Sequence, residues 1–449
     1  MDAVSFVDLS SVEQLANRTI QRVKWRIIPL ACCLYFFNGV DRFNVGFAAL
    51  GMNKALHITS VQFGSVASMF FITYLIFQVP SNMALQRIQV NRWIGFIVCG
   101  WGIVTALMFF VRGVSDILIC RLLVGIFEAG FFPGMVFYFT NWFPRRVHAK
   151  VMALFMMTNA ISAAVTAPIS GWIVGQQWLH HDGWRWLFIL EGIPTLLLGI
   201  LAWLLITNTP SDAMWLDDKE RSWLVNELHG ERKSKKETVP ASFSKIIADR
   251  TLWRLVGVYM FAQGASQAAQ PWLPGIFKHL ALSNTQVGFV MAVPGVCAAV
   301  AMPLWASHSD KMSERRYHAG SAVLLAGAAF LLMLVPSLPL KIVCLALFGI
   351  GSLSFWGPYW ALVANLLSQE SLAIGIAIIN SGSSLGGFVV TYALGHIIGR
   401  FGTNGVFIFE GCLCALSFLI AMTLPAQNSG KLKMQAASPR LEDVTVPQS

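Results

Sequence analysis

Apolar stretches of about 20 residues, each enough to cross a hydrocarbon layer about 30 Å thick, recur along nearly the whole chain with only short polar turns between them. They fall at 25–50, 61–85, 93–111, 117–140, 152–175, 185–207, 252–275, 286–307, 319–336, 340–363, 371–398 and 405–424. The pattern predicts an all-α membrane protein of twelve transmembrane helices. It is interrupted once, at the polar stretch 208–250. There Thr209, Pro210, Ser211 and Asp212 stop a helix, and 215–228 alternates charge with Trp223, Leu224 and Leu228 at helical spacing. That stretch reads as a short amphipathic helix on the cytoplasmic surface. It would link a six-helix bundle at 25–207 to a second at 251–424, with a polar N-terminal segment at 1–24 and a tail at 425–449.

The two halves repeat each other. Phe188, Ile189, Leu190, Glu191 and Gly192 return as Phe407, Ile408, Phe409, Glu410 and Gly411, displaced by 219 positions. Gly171, Trp172, Ile173, Val174 and Gly175 return as Gly395, His396, Ile397, Ile398 and Gly399, displaced by 224. Gly125, Ile126 and Phe131 recur as Gly349, Ile350 and Phe355 at the same displacement, and Asn159 meets Asn380 at 221. Each match is weak alone because apolar helices share a small alphabet. The shared offset of about half the chain implies two pseudo-symmetric bundles.

Composition agrees with a membrane location: 56% hydrophobic and 12% charged residues with a mean hydropathy of +0.62, against roughly 25% charged in a soluble domain. The net charge of +10 invites a nucleic-acid reading, but the placement of the charges excludes it. Of the 32 Lys and Arg, Arg42 and Arg121 lie within spans and only Lys54, Arg112, Arg185, Lys278, Lys341 and Arg400 fall on one side. The rest share the side of both termini, which the positive-inside rule makes cytoplasmic. The first 24 residues lack a short apolar core with a small-residue cleavage site, so no removable leader is expected. Cys32, Cys33, Cys99, Cys120, Cys297, Cys344, Cys412 and Cys414 lie in apolar runs, where a thiol packs as a small hydrophobe. Neither disulfides nor a metal site are expected, and His57, His148, His180, His181, His229, His279, His308 and His318 show no metal spacing.

The candidate chemistry lies in charges that a membrane span can least accommodate. Asp41 and Arg42 interrupt the first stretch, and Arg121 and Glu128 the fourth. A charge at the bilayer centre costs on the order of 3 kcal/mol on insertion scales, so such residues mark an ion or substrate path. Arg121 and Glu128 are seven residues apart, two helical turns, and share a face. A guanidinium offers a planar fork for a carboxylate. A dry carboxyl beside an arginine can load and release a proton near neutrality. Position 352, which is 224 beyond Glu128, holds Ser, so the charge machinery is confined to the first half. The structural alternative is a static ion-pair network locking spans 1 and 4. Because neighbours on a helix point about 100° apart, Asp41 or Arg42 could face a different helix. Glu191 and Glu410 read as structural, with Arg185 the expected partner of Glu191. Phe36, Phe37, Phe131, Trp356, Tyr359 and Trp360 could wall an aromatic substrate, and Trp360 is taken as substrate-binding. No nucleophile with a base, metal cluster or phosphate loop supports an enzyme, and no cofactor is expected.

Two six-helix halves in the same orientation describe the parallel repeats of major facilitator transporters, with a midplane site between them. Gly130, Pro133 and Gly134 in span 4 and Gly382, Gly386 and Gly387 in span 11 fit helices that bend and approach closely. The loop with Ser309, Asp310, Lys311, Glu314, Arg315 and Arg316 resembles that superfamily's cytoplasmic signature, in which acid and base pairs latch helices. Its earlier copy keeps Arg87 and Arg92 but has Gln86 in place of an acid. The run from Asn38 to Leu50 with Met52, Asn53 and Lys54 is similar to the first-helix signature of the anion:cation symporter family. Pro80, Ser81 and Asn82, Arg92 and Trp93, Arg121 through Gly134, and Thr209, Pro210, Ala213, Trp215 and Leu216 match the same family.

The resemblance runs from about Lys24 to Leu424. It implies import of a small organic anion such as a sugar acid, tartrate, phthalate or another aromatic acid together with protons. It implies Asp41 and Glu128 as the protonatable pair, Arg42 and Arg121 as basic positions tied to substrate and coupling, and Tyr74 and Asn380 as substrate contacts. Asn159 stands where Gln is common. Gly39 replaces a usual Tyr, which would enlarge the pocket or remove a hydroxyl contact. Identical residues could serve a facilitator, an exchanger or a sodium symporter, and a non-transporting receptor is a more remote alternative. The lipid bilayer is the one large partner expected, in the cell inner (plasma) membrane, and a monomer suffices because two halves complete a pathway.

Overall fold

The computed structural model describes residues 3–233, 243–368 and 370–425. The first half comprises α1 (Ala3–Ala55), α2 (Ser60–Arg87), α3 (Val90–Leu107), α4 (Val114–Glu128), α5 (Phe131–Trp142), α6 (Arg145–Val174) and α7 (Gly183–Leu205). The second comprises α10 (Arg250–Lys278), α11 (Asn284–Met312), α12 (Arg316–Leu332), α13 (Leu338–Ser354), α14 (Trp356–Leu366) and α15 (Leu372–Met422). Between them lie α8 (Asp218–Lys233) and the short α9 (Phe243–Ala248). All twelve apolar stretches fall on helices. The fourth is shared by α4 and α5 and the tenth by α13 and α14. The last two share α15, which turns at Gly402 with φ 65° and ψ −163°, a backbone state open to glycine.

Proline sets the breaks in the fourth and tenth spans. Pro133 has no N–H for the carbonyl of Ala129 and its ring crowds that carbonyl, so α4 ends at Glu128 and α5 begins at Phe131. Pro358 does the same to Ser354, where α13 ends. The repeat extends to helix caps. Thr59 and Gln62 form a reciprocal capping box on α2, and Ser283 and Gln286, each 224 residues later, form one on α11.

The halves approach closely at the end where α2 and α11 begin. A Cβ on Gly64 of α2 would lie 3.0 Å from the Gly395 Cα of α15, and one on Gly171 of α6 would lie 2.9 Å from the Gly288 Cα of α11. Gly64 and Gly288, and likewise Gly171 and Gly395, are related by the same 224-residue displacement, so the two seals are one contact made twice. A Cβ on Gly46 would come within 3.0 Å of the Pro271 Cα, adding a third close approach between α1 and α10. Only residues without a side chain permit backbones this near.

Two features were not anticipated. Residues Gln177–Trp178 (β1) and His181–Asp182 (β2) pair antiparallel between α6 and α7. Leu179 and His180 at the tip take φ of 48° and 63°, the left-handed pair that a two-residue hairpin demands. The N-terminal polar segment continues the first span as one helix. On it Arg18 and Arg22 reach the buried Glu220 of α8 at 3.2 and 2.6 Å. The expected linker helix is present as α8, where Leu224 and Leu228 are buried against the first bundle and Trp142 stacks on Trp215.

Candidate functional site

α1 presents two polar faces in the membrane. Asn38 and Arg42, four residues apart, lie on one; Asp41 and Asn44, three apart, lie on another about 100° round. On the first face the Asn38 Nδ2 donates to Glu128 Oε2 at 2.9 Å, and Arg42 Nη2 lies 3.6 Å from the same oxygen. Glu128 is the last residue of α4, immediately before the break. It is 1% exposed, whereas the Arg42 side chain is 26% exposed. The acid is therefore sealed and its cation partly open.

Phe70 on α2 organises the two arginines. The Arg42 guanidinium carbon stands 5.0 Å from the Phe70 ring centre and 5.1 Å from that of Tyr74, while the Arg121 carbon stands 4.9 Å from Phe70. All three distances suit cation–π attraction, which strengthens on desolvation. Gly125 makes this possible, since a Cβ there would fall 2.1 Å from Thr73 Oγ1 and 2.5 Å from the Phe70 carbonyl oxygen. α4 and α2 touch backbone to backbone one turn before Glu128. Arg121 is buried, its Nε has no hydrogen-bond partner, and it lies in electrostatic reach of both Asp41 and Glu128.

Asp41 diverges from its neighbour. Its Oδ1 accepts from Asn44 Nδ2 and from Thr105 Oγ1 of α3, both at 2.9 Å. It is 2% exposed and turned into the first bundle. Of the residues implied as substrate contacts, Tyr74, Asn159, Asn380 and Trp360 are all half-buried. Trp360 packs edge-on against Tyr259, with ring centres 5.1 Å apart. Among the aromatic candidates Phe36, Phe37 and Trp356 are likewise half-buried, but Phe131 and Tyr359 are core residues at 0% exposure. Tyr359 gives its hydroxyl to the Leu255 carbonyl. A Cβ on Gly39 would lie 2.5 Å from Ser162 Oγ, so the position is a close contact between α1 and α6.

The cytoplasmic loop motif folds on itself. Arg315 pairs with Asp310 and donates to Ser309 Oγ, and Arg316 donates to the Leu424 carbonyl at the end of α15. Lys311 is exposed, and among the described residues Arg87 and Arg92 make no ion pair. Arg185 does not pair with Glu191. It donates to the carbonyls of Phe109 and Val111, while Glu191 accepts from Ser170 Oγ at 3.3 Å. Three members of the site were not singled out from sequence: Asn38, Phe70 and Thr105. Asn38 was legible as the residue four before Arg42, a polar partner on the same face. Phe70 and Thr105 carried no signal, because an aromatic or a threonine in an apolar helix is ordinary.

Buried charge at the middle of a twelve-span, two-bundle fold, with a partly open arginine between aromatic rings, defines a membrane transporter rather than an enzyme. The profile of the Major Facilitator Superfamily matches residues 31–275 and 255–445. A protein of Agrobacterium vitis named "Putative tartrate transporter" is 38% identical over 418 residues, covering 92% of this chain and 93% of that one. "Inner membrane transport protein RhmT" of Escherichia coli (strain K12) is 31% identical, covering 84% and 87%. Among solved structures, the inward open conformation of the E. coli xylose transporter XylE superimposes with a TM-score of 0.73 at 14% identity, covering 92% of this chain and 99% of that one. The chain belongs to the major facilitator superfamily, and it is a multi-pass secondary transporter.

Proposed function

We propose that this transporter carries a small organic carboxylate together with protons, by alternating access between its two halves. The observation that carries the reading is Arg42, its side chain 26% exposed and tied to the buried Glu128. A proton on Glu128 cancels the charge holding Arg42. The guanidinium is then free to take a substrate carboxylate in bidentate fashion. Removing the proton restores the Glu128–Arg42 pair and expels the substrate. Leaving a buried charge without a partner is costly, several kcal/mol in typical cases, so proton and anion enter as a neutral set.

Net charge supports the same coupling. Asp41 and Glu128 as carboxylates balance Arg42 and Arg121, and each added proton makes room for one anionic group. Tyr74, Asn159, Asn380 and Trp360 supply polar and aromatic contacts around that group. Relatives named for tartrate transport favour a hydroxylated dicarboxylate as the first substrate to test. The positive-inside distribution sets both termini in the cytoplasm of the inner membrane, which puts the close glycine contacts on the outer side. The latch residues Asp310 and Arg315 then stand at the cytoplasmic side, where a pair whose acid is exposed is of small net worth and suits a contact that must open.

The test is uptake of labelled tartrate and other carboxylates by the purified full-length protein in liposomes under an inward proton gradient. Accumulation that collapses on adding a protonophore is expected. Accumulation that ignores the protonophore and follows a sodium gradient would overturn the coupling, and transport of neutral sugars alone would overturn the substrate class.

A further inference from the structure

We propose that Glu191 is a third proton-bearing carboxyl of the transport path, joined to Asp41 through Asn44 in a buried cluster between α1 and α7. The inference rests on the proton-coupled reading above and extends it to a residue outside the Arg42–Glu128 pair.

The cluster has acceptors to spare and too few donors. Glu191 Oε1 accepts from Ser170 Oγ, but its Oε2 has no partner. Asp41 Oδ1 is satisfied by Asn44 and Thr105, but its Oδ2 has none, and neither has Asn44 Oδ1. The Asn44 amide faces both carboxyls, and each of the three residues is at least nine-tenths buried. An ionised carboxylate only accepts, so two ionised acids here would leave three acceptor atoms unmet. One proton shared by Asp41 and Glu191 supplies the missing O–H, for which the unpartnered Asn44 Oδ1 is an available acceptor.

No cation explains Glu191 as a static ion pair. From α1 it faces Asp41 and Asn44, and from α6 Ser170. The titratable group of α3 facing α7 is Cys99, whose thiol is engaged with the Leu196 carbonyl. Arg185 on α7 itself is committed to the Phe109 and Val111 carbonyls. Arg121 and Glu128 of α4 act on the cluster through Asp41.

Position gives the cluster a direction. Glu191 lies eight residues into α7 from Gly183, about 12 Å from the hairpin end, while Asp41 lies fourteen residues before Ala55, about 21 Å from the same end. Ser170, which holds Glu191, adjoins Gly171 of the seal against Gly288. Glu191 therefore stands nearer than Asp41 to the hairpin end, beside the contact between the halves. In the exchange, the O–H bond on Glu191 breaks as one forms on Asp41, and the Glu191 carboxylate takes its next proton from water at the hairpin side.

Difference infrared spectroscopy on the full-length protein in membranes reads this without reference to substrate. Glu191→Gln should remove a protonated-carboxyl C=O band at neutral pH, and Asp41→Asn should shift that band. In liposomes Glu191→Gln should lower proton-driven tartrate accumulation at least roughly tenfold while tartrate exchange persists. If Glu191→Gln does not fold, Asn44→Ala keeps both acids, and loss of the coupling between their bands is the expected result. No missing band in Glu191→Gln, or a band indifferent to both Asp41→Asn and Asn44→Ala, would overturn the proposal by making Glu191 ionised or an isolated structural acid. A wild-type protein that fails to accumulate tartrate with protons would count against the proposed function, while the infrared result would still decide the shared proton.

Discussion

The two halves share a fold down to their helix caps and proline breaks, yet they differ in what they place at mid-membrane. In the first half the broken fourth span ends on Glu128, clasped by Asn38 and Arg42. In the second the matching position is Ser352, whose hydroxyl donates to its own helix at Gly349. Elsewhere in the second half Tyr259, Tyr359 and Trp360 stand in mutual ring contact, and Gln267 donates to Ser383. Glu191 and Glu410 make the same point at the other repeated acid. Glu191 sits among Ser170, Asn44 and Asp41, while both carboxyl oxygens of Glu410 are buried without a partner. Packing is thus symmetric where charge is not: the arginine-clasped acid at the broken span belongs to the first half alone among the described residues.

That contrast can be broken at its strongest point by substituting the charged and uncharged equivalents in parallel. Arg121→Ala should weaken tartrate binding about a hundredfold or more, since it leaves buried acids without their cation at a cost on the order of 3 kcal/mol. Ser352→Ala should leave binding near wild type. Calorimetric titration of both variants checks this, and equal losses would erase the asymmetry.

The structural symmetry should answer differently. Gly125→Ala drives a methyl to 2.1 Å from Thr73 Oγ1, and Gly349→Ala drives one to 2.4 Å from the Pro294 Cα. Each overpacks a helix contact, so both should lose stability by roughly 1–3 kcal/mol. Thermal unfolding in detergent should show two comparable decreases.

The smallest expected effect belongs to Glu314, a loop acid whose counterpart 224 residues earlier is Val90. Partial burial pushes the Glu314 carboxyl up, but the backbone N–H groups of Tyr317 and His318 and the His318 ring outweigh it and hold the carboxyl below the ordinary glutamate range. A lowered folded value means that this contribution is present above the unfolded-state value and fades as pH falls through the folded one. Wild type should therefore lose slightly more stability than Glu314→Gln between neutral and acid pH, read as melting temperature against pH.

Much of the fold was legible because a bilayer makes long apolar runs nearly synonymous with helices, and because two copies of one pattern corroborate each other. The hairpin at Leu179 and His180 was not, since non-glycine residues give no sign of a left-handed turn. At the site, the identities of Asp41, Arg42, Arg121 and Glu128 stood out as charges in apolar runs. Their pairing did not. Sharing a face suggested Arg121 for Glu128, whereas Arg42 makes the ion pair and Arg121 lies against Phe70. Which of two adjacent helical residues faces a given neighbour depends on helix rotation, and that is set by contacts such as Gly39 against Ser162 that no single sequence announces. The same rotation turned Asp41 toward Thr105 and away from Arg42's face.

In the proposed cycle a proton on Glu128 releases Arg42 for the substrate. Glu128→Gln makes the released state permanent, so the decisive measurement compares tartrate exchange with proton-driven tartrate accumulation for this variant in one liposome preparation. Exchange should persist while accumulation is lost. Gradient-driven accumulation equal to wild type would contradict that cycle.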